Sequence, residues 1–208
     1  MTELNYHIPV LAHACMEALA IRPEGVYVDV TFGGGGHSAL ILNALNENGR
    51  LIAFDQDKDA AKNVPNDPRV IFVAQNFRYL KKFLRLHQAL PVDGILADFG
   101  VSSHQLDKAS RGFTFRNDAT LDMRMDQSNP FSAYQLVNEY EEDELSSIFK
   151  KYGELSNARQ LARLICVARS RGPIETTFDL KNALAPHIPR LQEAKFLAIV
   201  EYVVRVRF

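Results

Sequence analysis

Three stretches carry residues whose types and spacing could do chemistry. The first is Val26 to Ser38, VYVDVTFGGGGHS, a β-branched run that stops in four consecutive glycines. Without a Cβ, glycine reaches positive φ and lets a ligand approach the backbone closely. The following SALILNALN (Ser38 to Asn46) predicts a helix whose first N–H groups face the same ligand. The second is Asp55, which ends RLIAFDQD about 20 residues later, where an acidic side chain accepts hydrogen bonds from the ribose hydroxyls of an adenosine cofactor. The third is Asp98-Phe99-Gly100-Val101-Ser102-Ser103, at the end of the apolar run VDGILADFG. Methylating an exocyclic amine needs a polar acceptor at such a strand end, holding the amine so that its lone pair points at the methyl carbon.

The glycine loop fits some cradles and excludes others. A P-loop requires Gly-Lys-Ser/Thr, whereas Gly36 is followed by His37 and Ser38. A dinucleotide turn, G-x-G-x-x-G/A, is met in part by Gly33 and Gly35, with Ser38 in the third place. The remaining candidate is the S-adenosylmethionine loop of Rossmann-like methyltransferases. Glycines and Asp55 together leave nicotinamide and S-adenosylmethionine chemistry both open.

These residues need a sheet to hold them. Four strands are expected, Val26 to Val30, Arg50 to Phe54, Arg69 to Gln75 and Val92 to Gly100, in the spatial order 3-2-1-4 of a doubly wound α/β fold. Helices are expected from Leu11 to Leu19, after the glycines, from Lys58 to Asn63, and from Arg78 to His87. In the last, Leu80, Phe83, Leu84 and Leu86 point inward and Lys81, Lys82 and Arg85 form a solvated face. Phe77, just past strand three, is placed to lie against an adenine ring. From Phe131 onward the periodicity is helical throughout.

With 208 residues, 47% of them hydrophobic, the chain has enough apolar surface for one good core and a second small one. A formal net charge of -1 excludes a globally basic nucleic-acid binder, so any RNA contact must come from a local patch. Cys15 and Cys166 read as separate reduced thiols, and His7 and His13 lack the spacing of a metal pair, so no metal is expected. The chain shows neither a leader pattern nor an apolar run near the ~18 residues of a span, which predicts a cytoplasmic protein off the membrane.

The motifs HIPVL, VDVTFGGGGHS, RLIAFDQD, NFRYL, VDGILADFGVSSHQLD, RGFTFR, LDMRM and KYGELSNARQLA, in this order, resemble the bacterial 16S rRNA (cytosine-N4) methyltransferases of the MraW/RsmH type. The resemblance covers residues 6 to about 200 and implies a Rossmann-like S-adenosylmethionine-dependent methyltransferase sheet with an all-helical insert. It divides the chain into a cofactor-binding domain, 1–115, and a helical insert, 116–208. It implies methyl transfer to N4 of a cytidine in the decoding region of 16S rRNA, with the small ribosomal subunit as the expected partner, and leaves the oligomeric state open, a dimer included. Carried over by position, Gly35, Gly36 and His37 hold the methionine part, Asp55 the ribose and Phe77 the adenine, while Asp98 and Gln105 complete the pocket and Gly33 joins them as a cofactor contact. Asp98 is then the acceptor of the N4 proton with Ser102 or Ser103 assisting, or, in an equally weighted reading, a contact to the cofactor alone with the serines shaping the turn.

Two further expectations concern the second half. In RGFTFRNDATLDMRMDQS, Arg111, Arg116 and Arg124 alternate with Phe113, Phe115 and Met123, a mixture that suits stacking on an extruded base as well as a packed loop. Arg159, Arg163, Arg169 and Arg171 make a basic stripe, read as a solvated helix face ahead of an RNA-facing one. The tail EYVVRVRF departs from the family pattern, and the family's later strands have no counterpart, which reads as an incomplete sheet with strand four as an open apolar edge. Compromised stability and activity are expected from this, with a fragment that only binds S-adenosylmethionine or RNA as the alternative function and a nicotinamide-dependent oxidoreductase as the weaker one.

Overall fold

Short apolar strands buried on both faces build the first half of the chain. The computed structural model describes residues 9–189 and 191–205, leaving aside the side chains of Ser103, His104 and Arg205. His7 and Ile8 of the motif HIPVL and the last three residues lie outside it. Four parallel strands, β1 (Val26–Asp29), β2 (Arg50–Phe54), β3 (Val70–Val73) and β4 (Gly94–Leu96), lie in the order β3-β2-β1-β4. This is the expected half of a doubly wound sheet.

Successive side chains of a strand point to opposite faces, and both faces here are apolar. On one face Val28, Val30, Ile52, Phe54 and Val73 pack under α3 (Leu80–Leu86) through Leu80, Phe83 and Leu84. On the other, Tyr27 and Leu51 meet Met16 and Leu19 of α1 (Ala12–Leu19) and Ile41 and Leu42 of α2 (Gly36–Ala44).

Several elements are shorter than the periodicity predicts. The segment after β2 is a 3₁₀ turn, Ala60–Asn63, and α3 is preceded by another, Phe77–Tyr79. Leu86, expected inward, is exposed because the helix ends there. At the start of β4, the Asp93 N–H still donates to Val26 O at 2.7 Å, while its carboxylate accepts from the Val26 N–H at 2.7 Å and pairs with Arg22. At its end, the ladder closes with Val30 N–H donating to Leu96 O, and the next contact is made by a side chain instead. Ile95, mid-strand, is half-exposed, and among the described residues β4 pairs only with β1.

The chain divides into two compact units, Met1–Gly100 and Val101–Phe208. The second is built from α4 (Ser103–Asp107), α5 (Ala133–Glu139), α6 (Glu142–Gly153), α7 (Ala158–Arg169), α8 (Thr177–Leu184) and α9 (Glu193–Arg205). Capping boxes start α5 at Ser132 with Gln135 and α8 at Thr176 with Asp179, which satisfies N–H groups the helices leave unpaired. Leu136, Leu145, Phe149, Leu161, Ile165 and Val200 form its core.

The arginine-aromatic loop belongs to that core, which overturns the stacking reading of it. Phe113, Phe115 and Met123 are buried there, and Arg111, 2% exposed, lies with its guanidinium 5.3 Å from the Phe113 ring centre and donates to Arg124 O. Arg124 is held by Asp122 and by Asn129 O. A ring sealed inside a helical core cannot stack on a base. Of the other stripe, Arg169 donates to Val137 O, while Arg159, Arg163 and Arg171 are exposed.

Candidate active site

The first unit gathers its polar groups where β1, β2 and β4 end. Asp29 closes β1 fully buried, accepting from Ser38 Oγ at 2.7 Å and from Thr31 N–H at 3.0 Å. Burial pushes its carboxyl above the ordinary range, and the Ser38 and Thr31 hydrogen bonds offset this only in part. The Asp29–Ser38 bond fixes the first turn of α2 to the strand it follows, so the glycines between them must turn within that fixed span.

They do so with Gly33 at φ +52 and Gly35 at φ +79, in the left-handed region that favours glycine. The Gly35 N–H closes the turn on Phe32 O at 2.7 Å. A Cβ on Gly35 would come 3.0 Å from the Phe32 ring, whereas one on Gly34 would meet nothing within 4 Å. The loop is thus packed on one side and open on the other, as a ligand cradle requires.

Asp55 ties this loop to the end of β2. Its Oδ2 accepts the Gly33 N–H at 2.7 Å and its Oδ1 the Asp57 N–H at 2.8 Å. Burial raises its pKa, and the two backbone N–H groups work against that. A carboxylate oxygen can accept about two hydrogen bonds, so each keeps capacity for a ribose hydroxyl.

His37 is buried at the start of α2, with Nε2 3.0 Å from Val10 O. A carbonyl only accepts, so Nε2 carries the proton. That leaves Nδ1 turned to Asp98, 3.9 Å from its Oδ2. The Asp98 side chain is 47% exposed, and its backbone N–H donates to Thr31 Oγ1 at 2.7 Å. Thr31 Oγ1 lies in turn 3.4 Å from Asp29 Oδ1. This threonine joins the buried carboxylate of β1 to the exposed one past β4.

An aromatic pair completes this end of the sheet. Phe77, 41% exposed, lies 5.5 Å from Phe99, which is 71% exposed, the planes tilted by 44°. Beneath it, Asn76 Nδ2 donates to Gln56 Oε1 at 2.8 Å.

Of the residues singled out in the sequence, the structure therefore brings together Gly33 with Asp55, His37 with Asp98, and places Phe77 against Phe99. Ser102 and Gln105 lie in the second unit, where they cap α4 reciprocally: Ser102 N–H donates to Gln105 Oε1 and Gln105 N–H to Ser102 Oγ. The side chain of Ser103 lies outside the described set. Sequence reasoning gave Thr31, Ser38 and Phe99 no role at the site. Their signal was their position in and beside VDVTFGGGGHS and ADFG, since polar residues at the carboxyl ends of parallel strands face the crevice.

Among the described residues, none forms a cluster that could hold a metal ion, and no helix is long and apolar enough to cross a membrane. Residues 5–203 match the MraW methylase family. A protein of Flavobacterium johnsoniae named ribosomal RNA small subunit methyltransferase H is 53% identical over 205 residues, 99% of this chain and 68% of that one. Proteins of the same name from Christiangramia forsetii and Bacteroides fragilis are each 50% identical, over 206 and 204 residues. The chain spans about two thirds of the length of these relatives. An rRNA-methylase structure from Clostridium thermocellum aligns with 52% of the chain at 21% identity and a TM-score of 0.38, a likeness too slight to add to this. With the glycine cradle, the Asp55 contact and a match along nearly its whole length, the chain belongs to the MraW methylase family.

Proposed function

We propose that this chain methylates the exocyclic N4 amine of a cytidine in the decoding region of 16S rRNA, within the small ribosomal subunit. S-adenosylmethionine is the methyl donor of this family, a sulfonium that needs no nucleophilic intermediate on the protein. The observation that carries the reading is the Asp55 carboxylate, anchored by the Gly33 and Asp57 N–H groups beside a loop with open space at Gly34. Asp55 takes the ribose, Gly33, Gly35, Gly36 and His37 border the methionine part, and Phe77 offers a ring to the adenine.

Asp98 accepts a hydrogen of the target amine. Held by its backbone on Thr31 and facing His37 Nδ1, it turns the nitrogen lone pair toward the methyl carbon and receives the proton as the bond forms. Ser102 and Ser103 assist it, and Gln105 completes the pocket, in the role the family motif assigns them. In this reading residues 1–115 carry the cofactor and amine contacts, although Phe113 and Phe115 pack with the helices, and residues 116–208 are the helical insert. The protein works in the cytoplasm.

Isothermal titration of S-adenosylmethionine into the chain and into Asp55→Ala tests the cofactor site; micromolar binding lost in the variant is expected. Asp98→Ala should abolish transfer to 16S rRNA while S-adenosylmethionine affinity stays within about tenfold. Complete loss of cofactor binding in Asp98→Ala would make that residue a cofactor ligand only, and its role as proton acceptor would fall.

A further inference from the structure

The net charge of -1 conceals a local imbalance. From Pro68 to Val92 the chain contains no aspartate or glutamate, yet this stretch carries Arg69, Arg78, Lys81, Lys82 and Arg85. Arg69 is neutralised by Asp67. The other four are exposed, and among the described residues none forms a salt bridge with a carboxylate. They follow the spacing i, i+3, i+4, i+7, which puts them in one row along the 3₁₀ turn and α3. Leu80, Phe83 and Leu84 hold the opposite side against the sheet, so the row is fixed outward.

Aromatic rings accompany these cations. The Arg78 guanidinium lies 5.0 Å from the centre of the exposed Tyr79 ring, and Lys82 Nζ 6.0 Å from that of Phe83. The row begins one residue after Phe77, whose ring meets the exposed Phe99 next to Asp98. It therefore leads directly away from the residues assigned to the amine and the adenine.

We propose that the row Arg78, Lys81, Lys82, Arg85 is the track for the phosphodiester backbone of the substrate RNA strand as it leaves the active site. This rests on the reading that the substrate is RNA. At ~1.5 Å rise per residue the row spans about 10 Å, room for about three phosphates of a stacked strand at ~3.4 Å each. Cations beside an exposed ring suit single-stranded nucleic acid, whose bases must be splayed out before an amine can be reached. The buried arginine-aromatic loop of the second unit cannot supply that surface.

The test is the salt dependence of binding to a single-stranded 16S rRNA fragment, by fluorescence anisotropy, for the wild type and a Lys81→Gln/Lys82→Gln/Arg85→Gln triple variant. Each phosphate contact contributes about 0.7 to the slope of log K against log salt, so the triple variant should lose about 2. Its KM for RNA should rise, while kcat at saturating RNA and S-adenosylmethionine affinity stay at wild-type values. The control triple Arg159→Gln/Arg163→Gln/Arg171→Gln, on exposed arginines of α7 and the turn after it, should keep the wild-type slope. An unchanged slope in the first variant with methylation intact overturns the track alone, as does an equal loss in the control. Loss of binding to phosphatidylserine vesicles without change toward RNA would assign the row to a membrane and overturn it too. A wild-type chain that binds S-adenosylmethionine but neither binds nor methylates RNA overturns the track together with the functional reading.

Discussion

Replacing an aspartate by asparagine should have opposite consequences at Asp55 and Asp29, because their hydrogen-bond partners differ in kind. At Asp55 both oxygens accept backbone N–H groups, from Gly33 and Asp57. An amide must put its NH₂ at one of the two places, setting donor against donor. A hydrogen bond to a charged group contributes about 1.5–3 kcal/mol, and relief from carboxylate desolvation returns part of that. We expect Asp55→Asn to cost about 1–2 kcal/mol, a fall of on the order of 0.5 M in urea midpoint. Its S-adenosylmethionine dissociation constant should rise at least about tenfold, since the amide also loses a ribose acceptor. At Asp29, Oδ1 accepts from Thr31 and Oδ2 from the Ser38 hydroxyl. A hydroxyl can accept as well as donate, so an amide at 29 keeps a partner on each side and sheds a buried charge. The native pKa of Asp29 is raised, so the native state holds its proton more tightly than the unfolded chain does. Its contribution to stability is full below 3.8 and is lost as pH rises through the native value. Asp29→Asn should therefore match the wild type in acid and gain on it as pH rises through that window. Urea unfolding followed by circular dichroism, at acid and neutral pH, reads both variants. A wild-type midpoint and affinity for Asp55→Asn, or a larger loss from Asp29→Asn than from Asp55→Asn, would refute the reasoning.

Neighbouring glycines should separate stability from binding. Gly35→Ala forces a side chain to φ +79 against the Phe32 ring and should cost about 1–2 kcal/mol in thermal unfolding. Gly34→Ala, whose Cβ meets nothing within 4 Å, should melt with the wild type yet bind S-adenosylmethionine more weakly by titration. Thr31→Val keeps the shape but removes the hydroxyl that holds the Asp98 N–H; single-turnover methyl transfer should slow by about 10–100-fold with cofactor affinity unchanged.

The parts of this fold legible in the sequence are those where one local rule acts alone. β1 and β2 are buried on both faces and read as continuous apolar runs, and a glycine run after a strand has few structural uses. The spacing to Asp55 was equally legible, because its partner is the backbone of Gly33, which any sequence with that turn would present. The arginine-aromatic loop was not, since alternating Arg and Phe satisfies both a base-stacking surface and a packed loop. Gly112 held a usable signal: at φ +66, with a Cβ only 2.4 Å from Thr120 O, it marks a tight crossing that a free RNA-binding loop would not need. The start of β4 was hidden because the Asp93 carboxylate takes the Val26 N–H that a strand carbonyl would otherwise accept, a partner 67 residues away.

The same register that ended β4 early also explains how the exposed Asp98 is held at the end of the sheet. In the parallel pairing of β1 with β4, Asp29 stands opposite Leu96. Two residues beyond each partner come Thr31 and Asp98, so the chains leave the sheet in step, and the threonine hydroxyl meets the Asp98 N–H across the gap where the ladder has stopped. Asp29 opposite Ala53 does the same on the other side, bringing the turn at Gly33 to Asp55, two residues past its strand partner. Both carboxylates assigned to chemistry are thus placed through backbone N–H groups at fixed offsets from one central strand. A residue inserted between Asp29 and Thr31 would shift both contacts at once, whereas a change of side chain at either acid leaves the other in place.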